Sequence, residues 1–306
     1  MSNRSLVFFG IQILCTLFCT APVASQETVA ARNLILDADT ANEIDDMYAI
    51  VRMLKQDQFN VLALSSAQWI HYLGEADSVG ASQRINEDLV ELLGRKDLPL
   101  PKGSDEPMGK PWGGDEAKDS AAAQFIIKAA KAASPDSKLM VVCLGATTNL
   151  ASAIKLAPEI VPNVDAYLLG FQYDASEGVW NKSEFNIRRD LNAADFILNC
   201  EGLSTHIMPT SVAKKLTFDR DDTFARHERM GALGKYLTDK WKARFGSSKT
   251  WVMWDLALVQ AVINPELGQA ALRQTPPENT ARKVLVYSDI DAEAMRKDYW
   301  KTVLPK

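Results

Sequence analysis

Five carboxylates fall within ten consecutive positions: Asp37, Asp39, Glu43, Asp45 and Asp46 of "LILDADTANEIDDMYAI". Two such groups at about 4 Å repel by roughly 1 kcal/mol in water and about 4 kcal/mol near a protein surface. Crowding of this kind calls for a counter-charge. Residues 33–36 read as a short buried strand, and Ile44, Met47, Ile50, Val51 and Leu54 recur as one face of a helix. The acids therefore occupy a strand-to-helix turn. Asn42 as N-cap, with Glu43, Asp45 and Asp46 favoured by the helix dipole, accounts for three of the five. Strand alternation puts Asp37 and Asp39 on one side at the strand's carboxyl end, where open α/β sheets place ligands, and capping gives neither a partner. A hard cation held by oxygen ligands accounts for the whole set.

The elements that must position this turn alternate along the chain. Apolar strand patterns cover 60–66, 138–145, 164–170, 204–209 and 282–291. Helix patterns cover 77–94, 121–133, 148–157 and 192–200, and the stretch 218–258 reads as helical throughout. Such βαβ repetition implies an open, mostly parallel sheet with helices on both faces, a Rossmann-like α/β fold. No linker or repeat divides residues 26–306, which read as one domain. Loops after parallel strands converge on one edge. Here they carry "GATTN", "GFQYDASEGVWNKSEFNIRRD" and "WVMWDLALVQ", each bringing polar or acidic groups toward the first turn, with several aromatic rings (Trp69, Tyr72, Trp112, Phe171, Tyr173, Trp180, Trp251, Trp254) in the same loops.

Composition narrows the partners. The chain has 306 residues, is 47% hydrophobic and carries a net charge of −5, so no basic surplus suggests nucleic acid or an anionic membrane. Residues 1–25 combine Arg4, an apolar stretch from Leu6 to Phe18 and "APVAS", the pattern of a secretory signal peptide cut after Ser25. The apolar stretch is short for a membrane span, and neither Cys15 nor Cys19 follows the small residue a lipoprotein site requires. An exported protein, periplasmic or extracellular and without a stable membrane anchor, is expected. Cys143 and Cys200 then remain, expected as two buried free thiols; a homo-oligomer is left open.

Four segments in order, "ILDADTANEIDD", "LGATTNLA", "EFNIRRDLNAA" and "WDLALVQAVINP", resemble the nucleoside hydrolase family, calcium-dependent N-ribohydrolases with an open α/β fold. The resemblance spans nearly the whole chain after residue 25. It implies a small sugar or nucleoside-like substrate and Ca2+ as cofactor. Residue by residue, it implies Asp39 as calcium ligand and general base, and Asp46, Asp255 and the Thr148 carbonyl as further ligands. Asp45, Glu184 and Asn186 would hold ribose hydroxyls. The chemistry agrees, since carboxylate and carbonyl oxygens are what calcium takes. Glu184 and Asn186 also have a lesser reading as loop caps.

Four departures bear on mechanism. The family's Asp-x-Asp-Pro-Gly-x-Asp-Asp motif is two residues longer here, with Thr40-Ala41-Asn42-Glu43-Ile44 between the acid pairs. The His that commonly precedes the last calcium Asp is Trp254, whose indole is a poor proton donor for a departing base. Glu43 in the longer loop, or His71 after the second strand, is the candidate acid. The Gly-Asn expected after that strand reads Ala67-Gln68, which leaves Gln68 to contact substrate through a longer amide. Finally, Arg188 and Arg189 are not demanded by the family; they could grip phosphate or carboxylate, or bridge to Asp190. Trp254 also leaves open a non-catalytic or differently specific glycoside-binding protein on the same scaffold. A haloacid dehalogenase loop fails because its fifth position is Ala41, and "GDEAKD" (114–119) follows no apolar strand. An EF-hand fails because Tyr48 stands where its bidentate Glu belongs.

Overall fold

The computed structural model describes Met1 and residues 31–72, 74–246 and 248–305. The signal peptide expected over residues 1–25 falls, apart from Met1, outside them.

The chain enters on β1 (Arg32–Ala38), then α1 (Asp45–Leu54), β2 (Phe59–Ser66), α2 (Ser78–Leu92), α3 (Ala121–Lys131), β3 (Leu139–Cys143), α4 (Thr148–Leu156) and β4 (Val164–Leu169). A hairpin, β5 (Gln172–Asp174) and β6 (Val179–Asn181), leads to α5 (Phe185–Arg189), α6 (Leu191–Asn199), β7 (Ser204–Met208) and the single turn α7 (Thr210–Ala213). After β8 (Thr217–Asp219) come α8 (Arg220–His227), α9 (Gly231–Phe245), β9 (Thr250–Val252) and α10 (Trp254–Ile263). The chain closes with β10 (Gly268–Gln274), β11 (Lys283–Ile290) and α11 (Ala292–Val303).

Seven strands form the main sheet in the order β10-β11-β7-β4-β3-β1-β2, parallel except for the β10–β11 pair. β1 is flanked on both sides, which explains its unbroken apolar run: Leu34 and Leu36 face a core built with α1 and α10, and Ile35 faces one built with α3, α4 and α6. Among the described residues no helix is long and apolar enough to cross a membrane.

Several sequence-based expectations change. The stretch 218–258 is not one helical run: the left-handed Gly246 (φ 41°) ends α9, and β8 pairs with β9 across it. Asn42 does not cap α1; the capping position is Ile44, which offers no side-chain bond, so the first turn is served only by Asp45 and Asp46. Cys143 is buried as expected, but Cys200 is half-buried; both are free thiols.

α8 ends on a buried histidine. The His227 ring lies 5.7 Å from that of Tyr48 and 6.0 Å from that of Trp300, with Nδ1 2.8 Å from Thr238 Oγ1. Burial pushes its pKa down to about 4. The folded protein thus holds His227 neutral where the unfolded chain protonates it, so its contribution is complete above about pH 6.5 and is lost as pH falls toward 4. His227→Phe is expected to remove about 3 kcal/mol of this acid sensitivity. Urea unfolding at pH 7 and pH 4.5 checks it; parallel losses in both proteins would contradict it.

Candidate active site

The turn after β1 is held from two sides. Asn42 N–H donates to the Asp39 carbonyl at 2.8 Å, closing the turn. From α2, Asn86 accepts from Thr40 Oγ1 at 2.6 Å and Ser82 Oγ from the Ala41 N–H at 3.3 Å. The longer first loop is therefore pinned to α2. Gly145, just past β3, abuts it so closely that a Cβ there would lie 2.7 Å from the Asp39 carboxyl carbon.

Asp39, Asp45 and Asp46 meet Asp255, in the first turn of α10, at the floor of a cavity of about 460 Å³. Asp45, Asp46 and Asp255 each offer an oxygen within 4.8 Å of the others. Asp45 Oδ2 accepts the Asp255 N–H at 3.1 Å, which ties α10 to α1. Asp39 Oδ2, Asp46 Oδ1 and Asp255 Oδ1 are buried and accept no hydrogen bond. Burial, then mutual repulsion, holds the carboxyl groups of Asp39, Asp46 and Asp255 well above the usual range. Glu43, at the same cavity, is pushed up to about 8 by burial and by Asp45 and Asp46, with Arg244 opposing. Orphaned, crowded carboxylate oxygens are a donor set that a divalent cation satisfies.

The opposite parts of the lining come from other strand ends. Glu184 caps α5, accepting the Ile187 N–H at 3.2 Å. Asn186 Nδ2 donates to the carbonyls of Leu144 (2.6 Å) and Leu169 (3.2 Å), tying together the ends of β3 and β4. Both residues line the cavity, as does Trp254. The chain reaches β5 through Phe171, the one non-glycine residue with positive φ among those described (65°), whose carbonyl accepts both the N–H (2.9 Å) and Oγ1 (3.0 Å) of Thr210. That over-determined turn sets Gln172 and Thr210 on the cavity wall.

Residues 34–297 match the inosine-uridine preferring nucleoside hydrolase family. The chain belongs to this family. Among proteins, it is similar to "Probable uridine nucleosidase 2" of Arabidopsis thaliana, 26% identical over 234 residues, 67% of each chain. Among solved structures, it is similar to a plant nucleoside hydrolase (19% identity, TM-score 0.68, covering 90% of this chain and 100% of that one). A purine-preferring ribonucleoside hydrolase from Gardnerella vaginalis shares the fold equally (19%, TM-score 0.67, 89% and 98%). The chain is thus a hydrolase acting on N-glycosyl bonds.

In this nucleoside hydrolase, other sequence-predicted residues lie elsewhere than expected. Asp37 does not share the site with Asp39: it is buried with its own partners, accepting from Ser65 Oγ (2.6 Å) and Asn149 Nδ2 (3.0 Å). Thr148 lies outside the cavity lining at the start of α4, its hydroxyl donating to Asp190 at 2.6 Å. The residue that lines the cavity there is Leu144, just past β3, whose carbonyl accepts Asn186 Nδ2 at 2.6 Å. Gln68 is also outside the lining: its amide donates to Thr148 Oγ1 and the Arg189 carbonyl and accepts the Ile70 N–H, so it braces the wall from behind. His71 does not line the cavity; its ring sits 6.0 Å from that of Phe185, which does. Of the loop aromatics singled out in sequence, Trp254 alone lines the cavity, while Trp69 and Phe171 are buried and Tyr72 and Trp112 project into solvent. Asp190 accepts from Met108 N–H, Thr148 Oγ1 and Ala193 N–H, and neither arginine bridges it. Sequence reasoning passed over Leu144, Phe185 and Lys214. The strand-end rule points to Leu144 and to the segment after β7, but a carbonyl ligand leaves no side-chain signature.

Proposed function

We propose that this nucleoside hydrolase is a calcium-dependent N-ribohydrolase, with the cation held by Asp39, Asp46, Asp255 and, in place of the Thr148 carbonyl, that of Leu144. The observation that carries this is the trio of buried, unpartnered oxygens, Asp39 Oδ2, Asp46 Oδ1 and Asp255 Oδ1, beside a cavity of substrate size. Carboxylates with a carbonyl favour a hard cation over zinc or copper. When bound, calcium keeps these acids ionised and makes a nearby water more acidic.

The chain's own groups then divide the work. Asp45, Glu184 and Asn186 hold ribose hydroxyls. Asp39 takes a proton from the attacking water, whose oxygen bonds to the anomeric carbon as the C–N bond breaks through an oxocarbenium-like state. Glu43 returns a proton to the leaving base, a task that the Trp254 indole next to Asp255 does not perform. Uridine is the first nucleoside to test, given the relatives' names. The signal-peptide pattern of residues 1–25 supports export, where calcium is plentiful.

The purified protein is expected to release base from nucleosides with calcium and to lose that activity with a chelator. A nitrophenyl riboside, whose phenolate leaves unaided, should be hydrolysed much faster than uridine or inosine. Glu43→Gln should slow the natural substrates by about 10² and the activated one far less. Calcium-loaded protein that cleaves none of them favours a glycoside-binding role; equal slowing of both substrate types shows that Glu43 is not the acid.

A further inference from the structure

The same cavity carries positive charge that hydrolysis of a neutral nucleoside does not use. Arg188 of α5 and Lys214, just after α7, both line it and are exposed at its mouth. Among the described residues neither lies within ion-pair distance of a carboxylate, although neighbouring cations do: Lys215 pairs with Asp289 and Lys182 with Asp195, each at 2.7 Å. The adjacent Arg189 is committed elsewhere, donating to the Ile70 carbonyl at 2.8 Å with its guanidinium 4.7 Å from the Phe185 ring centre. Arg188 and Lys214 are thus not counter-ions of the acid cluster.

Topology places them away from it. The acids sit at the end of β1, whereas Lys214 follows β7, three strands across in the order β7-β4-β3-β1. At the usual spacing that is about 14 Å along the sheet edge. A ribose ring whose hydroxyls are held by Asp45 and Asn186, with its base toward Glu43 and Trp254, leaves the β7 end of the cavity unfilled. The hydroxyls there do not supply the missing recognition, because Thr210 and Ser211 already donate to the carbonyls of Phe171 and Tyr173. What remains is a guanidinium fork and an ammonium, the pair suited to a phosphate's oxygens.

We propose that the substrate is a phosphorylated ribosyl compound, a nucleoside 5′-monophosphate or a close relative, with Arg188 and Lys214 binding its phosphate. This rests on the N-ribohydrolase reading above and names its substrate class. The test compares kcat/KM of the calcium-loaded full protein for uridine against uridine 5′-monophosphate and for inosine against inosine 5′-monophosphate. Wild type is expected to prefer the nucleotide by tenfold or more, and Arg188→Gln and Lys214→Gln each to cut that ratio by about tenfold. Nucleosides cleaved as well as nucleotides, with a ratio unmoved by either substitution, would overturn this assignment and leave the hydrolase reading standing. If neither class is cleaved, the hydrolase reading fails, and calorimetric titration with ribose 5-phosphate against ribose decides the phosphate site. Tighter binding of the phosphorylated sugar that both variants abolish supports it; equal binding overturns it.

Discussion

Asp39→Asn is expected to lower turnover by about 10² or more while leaving the fold intact. The amide keeps the shape and one oxygen of the carboxylate but cannot take a proton from water. Asp39 is suited to that role because it is buried at the cavity floor with Oδ2 accepting no hydrogen bond. The substitution also removes charge from the cation site, so the measurement belongs at saturating calcium, with occupancy checked by calorimetry. A loss confined to kcat at full occupancy is the signature of the base. Turnover within a few-fold of wild type would show that another group takes the proton.

Asp46→Ala is expected to abolish measurable calcium binding. The substitution deletes a charged ligand from the start of α1 and leaves Asp39, Asp45 and Asp255 still crowded. A cation bound as proposed would relieve that crowding in wild type, so binding should also stabilise the fold: about 2.7 kcal/mol at a hundredfold excess over Kd. For a chain of this size that is a rise in Tm of several degrees. Titration calorimetry and thermal melts with calcium or chelator measure both effects. Chelator-stripped wild type that takes up no calcium, or an Asp46→Ala protein that melts with the same calcium dependence as wild type, would refute the site.

What the sequence disclosed depended on whether a physical signal had a period or a side chain. α1 was legible because Met47, Ile50, Val51 and Leu54 all face the core, and β1 because it is buried on both faces. β10 was missed because "GQAALRQ" is a half-exposed edge strand without clean alternation, and β8 and β9 because three residues each leave no period to read. Within the site, the acids of the first turn were visible as charges at a strand end, whereas Asp255, which follows β9 outside the main sheet, was marked by the family resemblance. Asp37 and Gln68 looked equally available, but their partners Ser65, Asn149 and Thr148 are distant in sequence, and only tertiary structure shows them engaged. The Leu144 carbonyl, the proposed fourth ligand, was hidden because a backbone ligand can belong to any residue.

The clamp of α2 on the first loop has a kinetic consequence. Because Asn86 and Ser82 hold Thr40 and Ala41 through bonds that owe nothing to the acids, the cradle is shaped without help from its ion. On the proposed reading, calcium would enter and leave without ordering or melting this loop, so its exchange is expected to be fast, a rate that stopped-flow chelation measures. The extra two residues of this loop lengthen the rim without turning it into a gate.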